Sequence, residues 1–377
     1  MEFRGKLLSK RRDKFKTIGI EMKLKNVTVS DLDDIYHYET SHNTKTKSSK
    51  KLVSKGRRSL KNNLYLVRCR VIEVHANYTY IVKMPSTLTL GESNEEIVFQ
   101  RMSCILGGRL KYLDHEQRNP VCVGDFVNVD TSDMNNLRIE EILDRKNTLS
   151  RYIQIGTEQK EVMLASNLDQ IIVMVSTMEP DFNTGVIDRF LCIARLSGIP
   201  AVICVNKIEL ADDLGELKNE CRYYEESGHK IYWVSVEKGI GLDKIKGLLK
   251  DKVTVFTGHS GTGKSSIINA LEPGLNLKVR EVSNYHSKGT HTTTNSRMIE
   301  WGFGGFLIDT PGIKTLGLSN NDLDVIPHCF PGFDEYSKLC EYRNCIHLHE
   351  PNCSVKANCG GKIPTERYES YVRIMES

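Results

Sequence analysis

Hydrophobic positions along this chain change their period twice, and each change predicts a different kind of structure. The stretch LYLVRCRVIEVHANYTYIVKM (64–84) alternates apolar and polar residues, the period of half-buried strands. GGRLKYL (107–113) and PVCVGDFVNVD (120–130) read as further short strands set among Gly, Pro and Asn. Short strands at close spacing, with no helix-period segment between them, predict a small antiparallel β-barrel. An oligonucleotide-binding (OB) barrel is the preferred form, and another small barrel with no ligand is the alternative.

From about residue 162 the pattern becomes α/β. Apolar runs recur as QIIVMVS (170–176), PAVICVN (200–206), KIYWVSV (230–236), VTVFTG (253–258) and FLIDTPG (306–312). Segments of helical period lie between the earlier runs, such as VIDRFLCIARLSG (186–198) and GLDKIKGLLK (241–250). Buried strands alternating with helices predict a mostly parallel, doubly wound sheet. Its ligands belong at the carboxyl ends of the strands, where each run ends in polar residues.

Composition adds limits. The chain has 377 residues and 39% hydrophobic content, enough for two or three domains with real cores. No apolar run approaches the roughly 18 residues of a membrane span, and the N-terminus has no secretory core. The eleven cysteines then read as reduced thiols or metal ligands, in a cytoplasmic protein with no membrane partner. The net charge of +4 is uneven: residues 1–63 carry 17 Lys/Arg against 7 Asp/Glu, leaving 35 against 41 for the rest. This basic extension has few core-forming residues and is expected to be largely disordered. It fits an arm that neutralises nucleic-acid phosphates, the alternative being a solubilising tail.

The first chemical motif is Gly258-His-Ser-Gly-Thr-Gly-Lys-Ser265, the full G-x-x-x-x-G-K-[ST] pattern between a strand and a helix. Gly258, Ser260, Gly261, Thr262, Gly263, Lys264, Ser265 and Ser266 are therefore the candidate phosphate-binding residues. The glycines let backbone N–H groups wrap a phosphate, and the helix N-terminus adds partial positive charge. Lys264 would contact the β- and γ-phosphates, and the Ser265 hydroxyl would hold Mg²⁺. Downstream, DTPG (309–312) ends an apolar strand. Asp309 is suited to hold Mg²⁺ through water, and the Gly312 N–H to sense a γ-phosphate. Between them GTHTTT (289–294) offers three threonines as switch residues, with Thr293 assigned to the Mg²⁺ shell and its neighbours left open.

Upstream, Asn206-Lys207-Ile208-Glu209 resembles the guanine-reading Asn-Lys-x-Asp turn. Asn206 would meet the purine N7/O6 side and the Lys207 stem would cover the base. A carboxylate at 209 would accept from guanine N1–H and the 2-amino group, neither of which adenine offers. Glu209 carries the same oxygens on a stem one methylene longer. Ser235 and Val236 end the next strand, where a backbone N–H could reach guanine O6. Every GTPase part is present, but the base-reading strand precedes the phosphate loop. That order predicts a circular permutation, which a sheet tolerates because its strands need only be adjacent in space.

Five of the eleven cysteines lie between 329 and 359. Cys340-x₄-Cys345-x-His347-x₅-Cys353 offers three thiolates and an imidazole, enough for a closed tetrahedral Zn²⁺ site that would be structural. His328, Cys329, His349 and Cys359 are neighbouring alternatives. The site would hold together a helical segment too small for a core of its own.

Over about 64–377 the chain resembles the circularly permuted, ribosome small-subunit-dependent GTPase A (RsgA) family. The likeness rests on NLDQIIVMVSTMEPDFNTGVIDRFL (167–191), VNKIE, GHSGTGKSSIINAL, GTHTTT, IDTPGI and the Cys/His segment. After the basic extension over 1–63, it implies a multidomain protein: an OB barrel over 64–146, a permuted P-loop GTPase domain over 147–318 and a small α-helical zinc-binding domain over 319–377. It favours Cys340, Cys345, His347 and Cys353 as the ligands of one structural Zn²⁺. It implies a monomer that binds GTP/GDP with Mg²⁺ and docks on the small ribosomal subunit and its rRNA during late maturation. Glu209 and Val236 depart from the family pattern, where Asp and a small residue are usual.

Ile313 stands where many GTPases carry a water-orienting Gln, so intrinsic turnover is expected to be slow. His291 is the candidate to orient or deprotonate the water, with His259 a weaker contender. Ile313 and Glu209 also suit a non-catalytic, GTP-dependent RNA-binding module, and a third reading is an ATP-dependent enzyme with a zinc finger. Turnover with and without small subunits separates the first two, and competition between GTP and ATP separates the third.

Overall fold

The structure, a computed structural model, describes residues 65–75, 79–90, 94–108, 110, 120–155, 158–275, 296–310, 313, 316–318 and 322–376. The basic extension over 1–63 lies outside them. The chain divides into two compact units: one runs to Glu116 and takes in Asp125–Asp144, the other combines Gln117–Gly124 with Arg145–Ser377.

The first unit holds β1 (Leu66–Val74), β2 (Tyr80–Leu90), β3 (Asn94–Leu106), β4 (Phe126–Asp130) and β5 (Arg138–Ile142). β1 pairs antiparallel with β2 and β4, β2 with β3, and β4 with β5. β3 meets β5 in parallel at Ile105↔Arg138 and Leu106↔Ile139, which closes the strands into a ring. The alternation seen in the sequence sorts the faces. Cys69, Val71, Tyr80, Val82, Met84, Val127 and Val129 are buried inside. On the outer face Phe126, Arg70, Lys83 and Arg101 stand directly opposite one another across β4, β1, β2 and β3. The Arg68 and Arg70 guanidinium groups lie 4.4 and 4.9 Å from the Phe126 ring centroid.

Two expected strands differ. In GGRLKYL, Gly108 and Leu110 are helical, the Leu110 N–H bonding back to Gly107 O at 3.1 Å in a turn, and residues 109 and 111–113 lie outside the described ones. In PVCVGDFVNVD only Phe126–Asp130 is a strand. Gly124 breaks it at φ 94°, where a Cβ would sit 2.1 Å from Ser166 O.

In the second unit β6 (Thr148–Ile155) and β7 (Glu158–Ser166) form an antiparallel pair. There follow β8 (Gln170–Ser176), α1 (Thr184–Leu196), β9 (Ala201–Asn206), α2 (Leu214–Glu226), β10 (Lys230–Trp233), α3 (Leu242–Leu249), β11 (Val253–Gly258), α4 (Lys264–Leu271), β12 (Ser296–Glu300) and β13 (Phe306–Asp309). The parallel order is β10-β9-β8-β11-β13, with β12 antiparallel beside β13. β8 is buried at every residue, as expected of a strand covered on both faces. Asn183 caps α1 by accepting from the Val186 N–H, and Asp213 caps α2 through the Gly215 and Glu216 N–H groups. β9, β8 and β11 lie side by side, so the base-reading turn and the phosphate loop leave the same edge of the sheet although they are distant in sequence.

The C-terminal segment contains the short helices α5 (Phe333–Ser337) and α6 (Ser354–Ala357) and the longer α7 (Thr365–Met375). The sequence reading allows it no core of its own, and in the structure its core is shared with α1. Ile326, Phe330, Phe333, Val355, Ile363 and Tyr371 bury together, and Cys192 of α1 belongs to the same cluster. The segment is also fixed by charge. Arg367 of α7 pairs with Asp188 of α1 and donates to the Tyr224 hydroxyl, which itself donates to Asp188 Oδ1 at 2.9 Å.

Candidate functional site

The phosphate loop is shaped by contacts that only glycine permits. At Gly258 (φ 128°) a Cβ would lie 2.1 Å from Met174 O, and at Gly263 (φ 89°) one would lie 2.1 Å from Asn206 Nδ2. Gly263 ends the loop, and α4 begins at Lys264, which sets a helix N-terminus at the phosphate loop. Lys264 is buried, its Nζ donating to Gly258 O at 2.8 Å and to His259 O. The ammonium thus lies against the loop's own carbonyls, next to where a phosphate would replace them as partner. The Thr262 hydroxyl also donates to His259 O, at 3.0 Å. Ser265 is buried in the first turn, Ser266 is half-buried, and His259, Ser260 and Gly261 are exposed.

Asn206 ends β9, buried, and its Nδ2 donates to Thr262 O at 3.0 Å. This bond ties the base-reading turn to the phosphate loop, a second role for Asn206 that spacing does not reveal. Asn206 Oδ1 and Glu209 Oε2 are buried without a partner among the described residues. Buried acceptors of this kind are costly unless a ligand meets them. Lys207 adopts the left-handed conformation at φ 61°, which turns the chain from β9 into the 3₁₀ turn Ile208–Leu210 that carries Glu209. The Ser235 N–H is engaged by Ile240 O at 3.0 Å and its hydroxyl accepts from the Lys238 N–H. The donor this pair can offer a base is therefore the Val236 N–H.

A third segment joins these two, and the motif reading missed it. The Thr177 N–H donates to Asn206 O at 3.1 Å and its hydroxyl to Lys207 O at 2.6 Å. Lys207 Nζ donates in turn to Glu179 O at 2.5 Å. Ser176 Oγ donates to Pro180 O at 2.8 Å, and a Cβ built on Gly261 would lie 3.2 Å from Pro180 Cδ. A polar pair at a strand end carries no spacing that would single it out in sequence.

Asp309 is exposed at the end of β13, and its Oδ2 accepts from Arg297 Nε and Nη2, both at 3.1 Å. Arg297 is its direct cross-strand neighbour on β12. His291, Thr293 and Gly312 lie outside the described residues. Ile313 is buried, so its side chain is not available to a water.

The second candidate centre is the Cys/His cluster. One ligand atom from each of Cys340, Cys345, His347 and Cys353 lies within 4.8 Å of all the others. His347 Nδ1 is 3.7 Å from Cys340 Sγ and 3.4 Å from Cys353 Sγ, and the two sulfurs are 3.9 Å apart. A tetrahedral ion with bonds of about 2.3 Å to sulfur sets its ligand atoms roughly 3.7 Å apart, so the donors fit. Of the alternatives, Cys329 sits in the apolar core and His328 meets Asp334 at 2.5 Å. Burial first, then the Cys353 and Cys340 sulfurs, push the Cys345 thiol up to about 12 against the pull of the His347 N–H. Burial also pushes the His347 imidazole below its usual range, favouring the neutral ring that a metal binds. The turn is braced from outside. Glu350 accepts from the Ile346, Leu348 and His349 N–H groups at 2.7, 3.0 and 3.2 Å, and the Tyr368 hydroxyl donates to His347 O at 2.7 Å.

Comparison with known proteins decides the family. A sequence model described as RsgA GTPase matches residues 142–319. "Small ribosomal subunit biogenesis GTPase RsgA" of Flavobacterium psychrophilum is 38% identical over 281 residues, covering 73% of this chain and 86% of that protein. The protein of the same name from Bacteroides fragilis is 40% identical over 280 residues, covering 74% and 90%. The chain belongs to the RsgA GTPase family. Among solved structures, YjeQ from Thermotoga maritima superposes with a TM-score of 0.60 at 30% identity, over 82% of this chain and 98% of that one. YloQ, described as a circularly permuted GTPase, does so with a TM-score of 0.59 at 26% identity, over 85% and 96%. RsgA membership supplies a reason for the permuted motif order, and its GTP chemistry implies Mg²⁺. The hard oxygen donors beside the phosphate loop fit that cation, and the Cys₃His cluster fits a softer one.

Proposed function

We propose that this chain is a GTP hydrolase of small ribosomal subunit biogenesis, and that it docks on the subunit through rRNA to assist or check late maturation. The observation that carries the GTPase part is the 3.0 Å bond from Asn206 Nδ2 to Thr262 O, which makes one nucleotide site of two motifs in permuted order. In this reading the phosphate loop holds the nucleotide through Gly258 to Ser266, and Lys264 exchanges its carbonyl partners for phosphate oxygens. Glu209 and the Val236 N–H read guanine. Ser265, Thr293 and Asp309 hold Mg²⁺, which supplies neutralisation of phosphate charge when bound, and Gly312 senses the γ-phosphate. His291 orients the attacking water in the docked state, since buried Ile313 cannot.

The ring of β1 to β5 is, in this reading, an OB barrel. Its outer row of Phe126, Arg70, Lys83 and Arg101, with Arg68 stacked on Phe126, combines cations and an aromatic surface as RNA recognition requires. The Cys₃His cluster holds one structural Zn²⁺. No helix of the described residues is long and apolar enough to cross a membrane. In this reading the protein works on ribosomes as a cytoplasmic monomer.

GTP turnover measured with and without purified small subunits tests the assignment. The expected result is slow hydrolysis alone, strong stimulation by subunits, and loss of the stimulated part in His291→Ala. Tight GTP binding with no turnover in either condition would favour the non-catalytic RNA-binding module. Elemental analysis of protein purified without added metal should find one zinc per chain, and a value near zero in folded protein removes that ion from the scheme.

A further inference from the structure

The segment that follows β8 is tied to both halves of the nucleotide site, and one residue in it does most of the tying. Thr177 is buried and grips two successive carbonyls of the base-reading turn, Asn206 O with its N–H and Lys207 O with its hydroxyl. The second grip matters because Lys207 sits at φ 61°, a conformation that a residue with a Cβ holds only when its surroundings over-determine it. The Lys207 carbonyl also accepts the Leu210 N–H at 2.9 Å, which starts the 3₁₀ turn bearing Glu209. A hydroxyl at 2.6 Å on that carbonyl therefore sets the orientation of the peptide from which Glu209 is aimed. The same segment returns to the phosphate side, where the Ser176–Pro180 bond places Pro180 against Gly261.

We infer that Thr177 is a positioning residue for guanine selectivity: it touches no nucleotide atom itself, but locks the Asn206–Lys207 backbone so that Glu209 meets the base. This rests on the reading of Glu209 as the acceptor for guanine N1–H and the 2-amino group. Inosine triphosphate keeps N1–H and lacks the 2-amino group, so the preference for GTP over ITP reports how well Glu209 is aimed. A general loss of fold would weaken both nucleotides alike.

The test is a titration of the full chain with fluorescent GTP, ITP and ATP analogues, for the parent and for Thr177→Ser, Thr177→Cys and Thr177→Val. Valine keeps the shape and removes the hydroxyl, so Thr177→Val should weaken GTP binding roughly three- to tenfold, the worth of one hydrogen bond. The GTP-over-ITP ratio should shrink with it, KM for GTP should rise while kcat holds, and ATP binding should not move. Serine should restore the parent ratio and cysteine, a weak donor, should fall between. An unchanged GTP-over-ITP ratio in Thr177→Val, with only a lower melting temperature, overturns the inference and leaves Thr177 a structural residue. If the parent itself binds GTP and ITP alike, the assignment of Glu209 falls, and the inference with it. Should Thr177→Val not fold, the serine and cysteine variants still decide, because a graded ratio between them is required.

Discussion

Two aspartate–arginine pairs in the same unit show how differently one chemistry is used. Asp188 and Arg367 are almost wholly buried, join α1 to α7 and share the Tyr224 hydroxyl. Asp309 and Arg297 are neighbours on β13 and β12, about half exposed, at the carboxyl edge where the nucleotide motifs gather. The buried pair is costly to keep. Asp188 Oδ2 and Arg367 Nε have no partner among the described residues. Burial alone pushes the Arg367 guanidinium down to about 9, which still leaves it charged at neutral pH. Its rings compensate in part, with the guanidinium 4.0 Å from the Tyr224 centroid and 4.8 Å from that of Tyr223. Such a pair contributes docking specificity for the C-terminal segment more than net stability. The exposed pair is the opposite case: weak, screened, and able to release its aspartate to a stronger cation.

The largest expected effect comes from breaking the buried pair on one side. Arg367→Ala should cost about 3–5 kcal/mol, because it strands the Asp188 carboxylate inside. Urea unfolding followed by tryptophan fluorescence measures it, and a loss under about 1 kcal/mol would show that water reaches the site. The double variant Asp188→Leu/Arg367→Met sharpens the point. It removes both charges and should recover most of the loss, to within roughly 1–2 kcal/mol of the parent. Independent, additive losses from the two single changes would mean the groups do not act as a pair.

How much of this was legible beforehand depends on the range of the interaction. The phosphate loop could be read from sequence because its backbone demands glycine at Gly258 and Gly263, and a local demand leaves a local mark. The parallel strands could be read for the same reason, since burial on both faces excludes polar residues from runs such as Gln170–Ser176. The Cys/His donors were visible because few other arrangements use those residue types so close together. Asp188, Tyr224 and Arg367 left no such mark: each is an ordinary residue on its own helix, and only the packing of α1, α2 and α7 brings them together. The Cys/His segment, expected from sequence to be held together by its metal, is therefore also held by Arg367 and by the core shared with Cys192. The failed strand at residues 120–124 has the same origin, because Gly124 is shaped by contact with Ser166 in another strand.

At the exposed pair, stability and function should separate. Asp309→Asn should change stability by less than about 1 kcal/mol, since a half-exposed pair contributes little. If Asp309 holds Mg²⁺ through water, the half-saturating Mg²⁺ for nucleotide binding should rise roughly 10–100-fold, the usual cost of losing an outer-sphere partner. A Mg²⁺ titration of fluorescent GTP-analogue binding reads this directly, and an unchanged midpoint would remove Asp309 from the metal shell.

The smallest effect is the most discriminating, because it carries the opposite sign. Nε and Nη2 of Arg297 fall on the same oxygen of Asp309, so if Asp309 holds Mg²⁺ the arginine competes with the cation for that carboxylate. Removing the competitor returns to Mg²⁺ whatever free energy the exposed pair held. At about 0.2–1 kcal/mol, that corresponds to a half-saturating Mg²⁺ lower by roughly 1.4- to fivefold in Arg297→Ala. Stability should move by no more than about 0.5 kcal/mol, as for other surface substitutions. Raising the salt concentration should narrow the gap between variant and parent, because screening weakens the pair in the parent and leaves nothing to weaken in the variant. A higher Mg²⁺ requirement in Arg297→Ala would instead mean that the arginine orients Asp309 for the cation, and the contrast with the buried pair would then be one of exposure only.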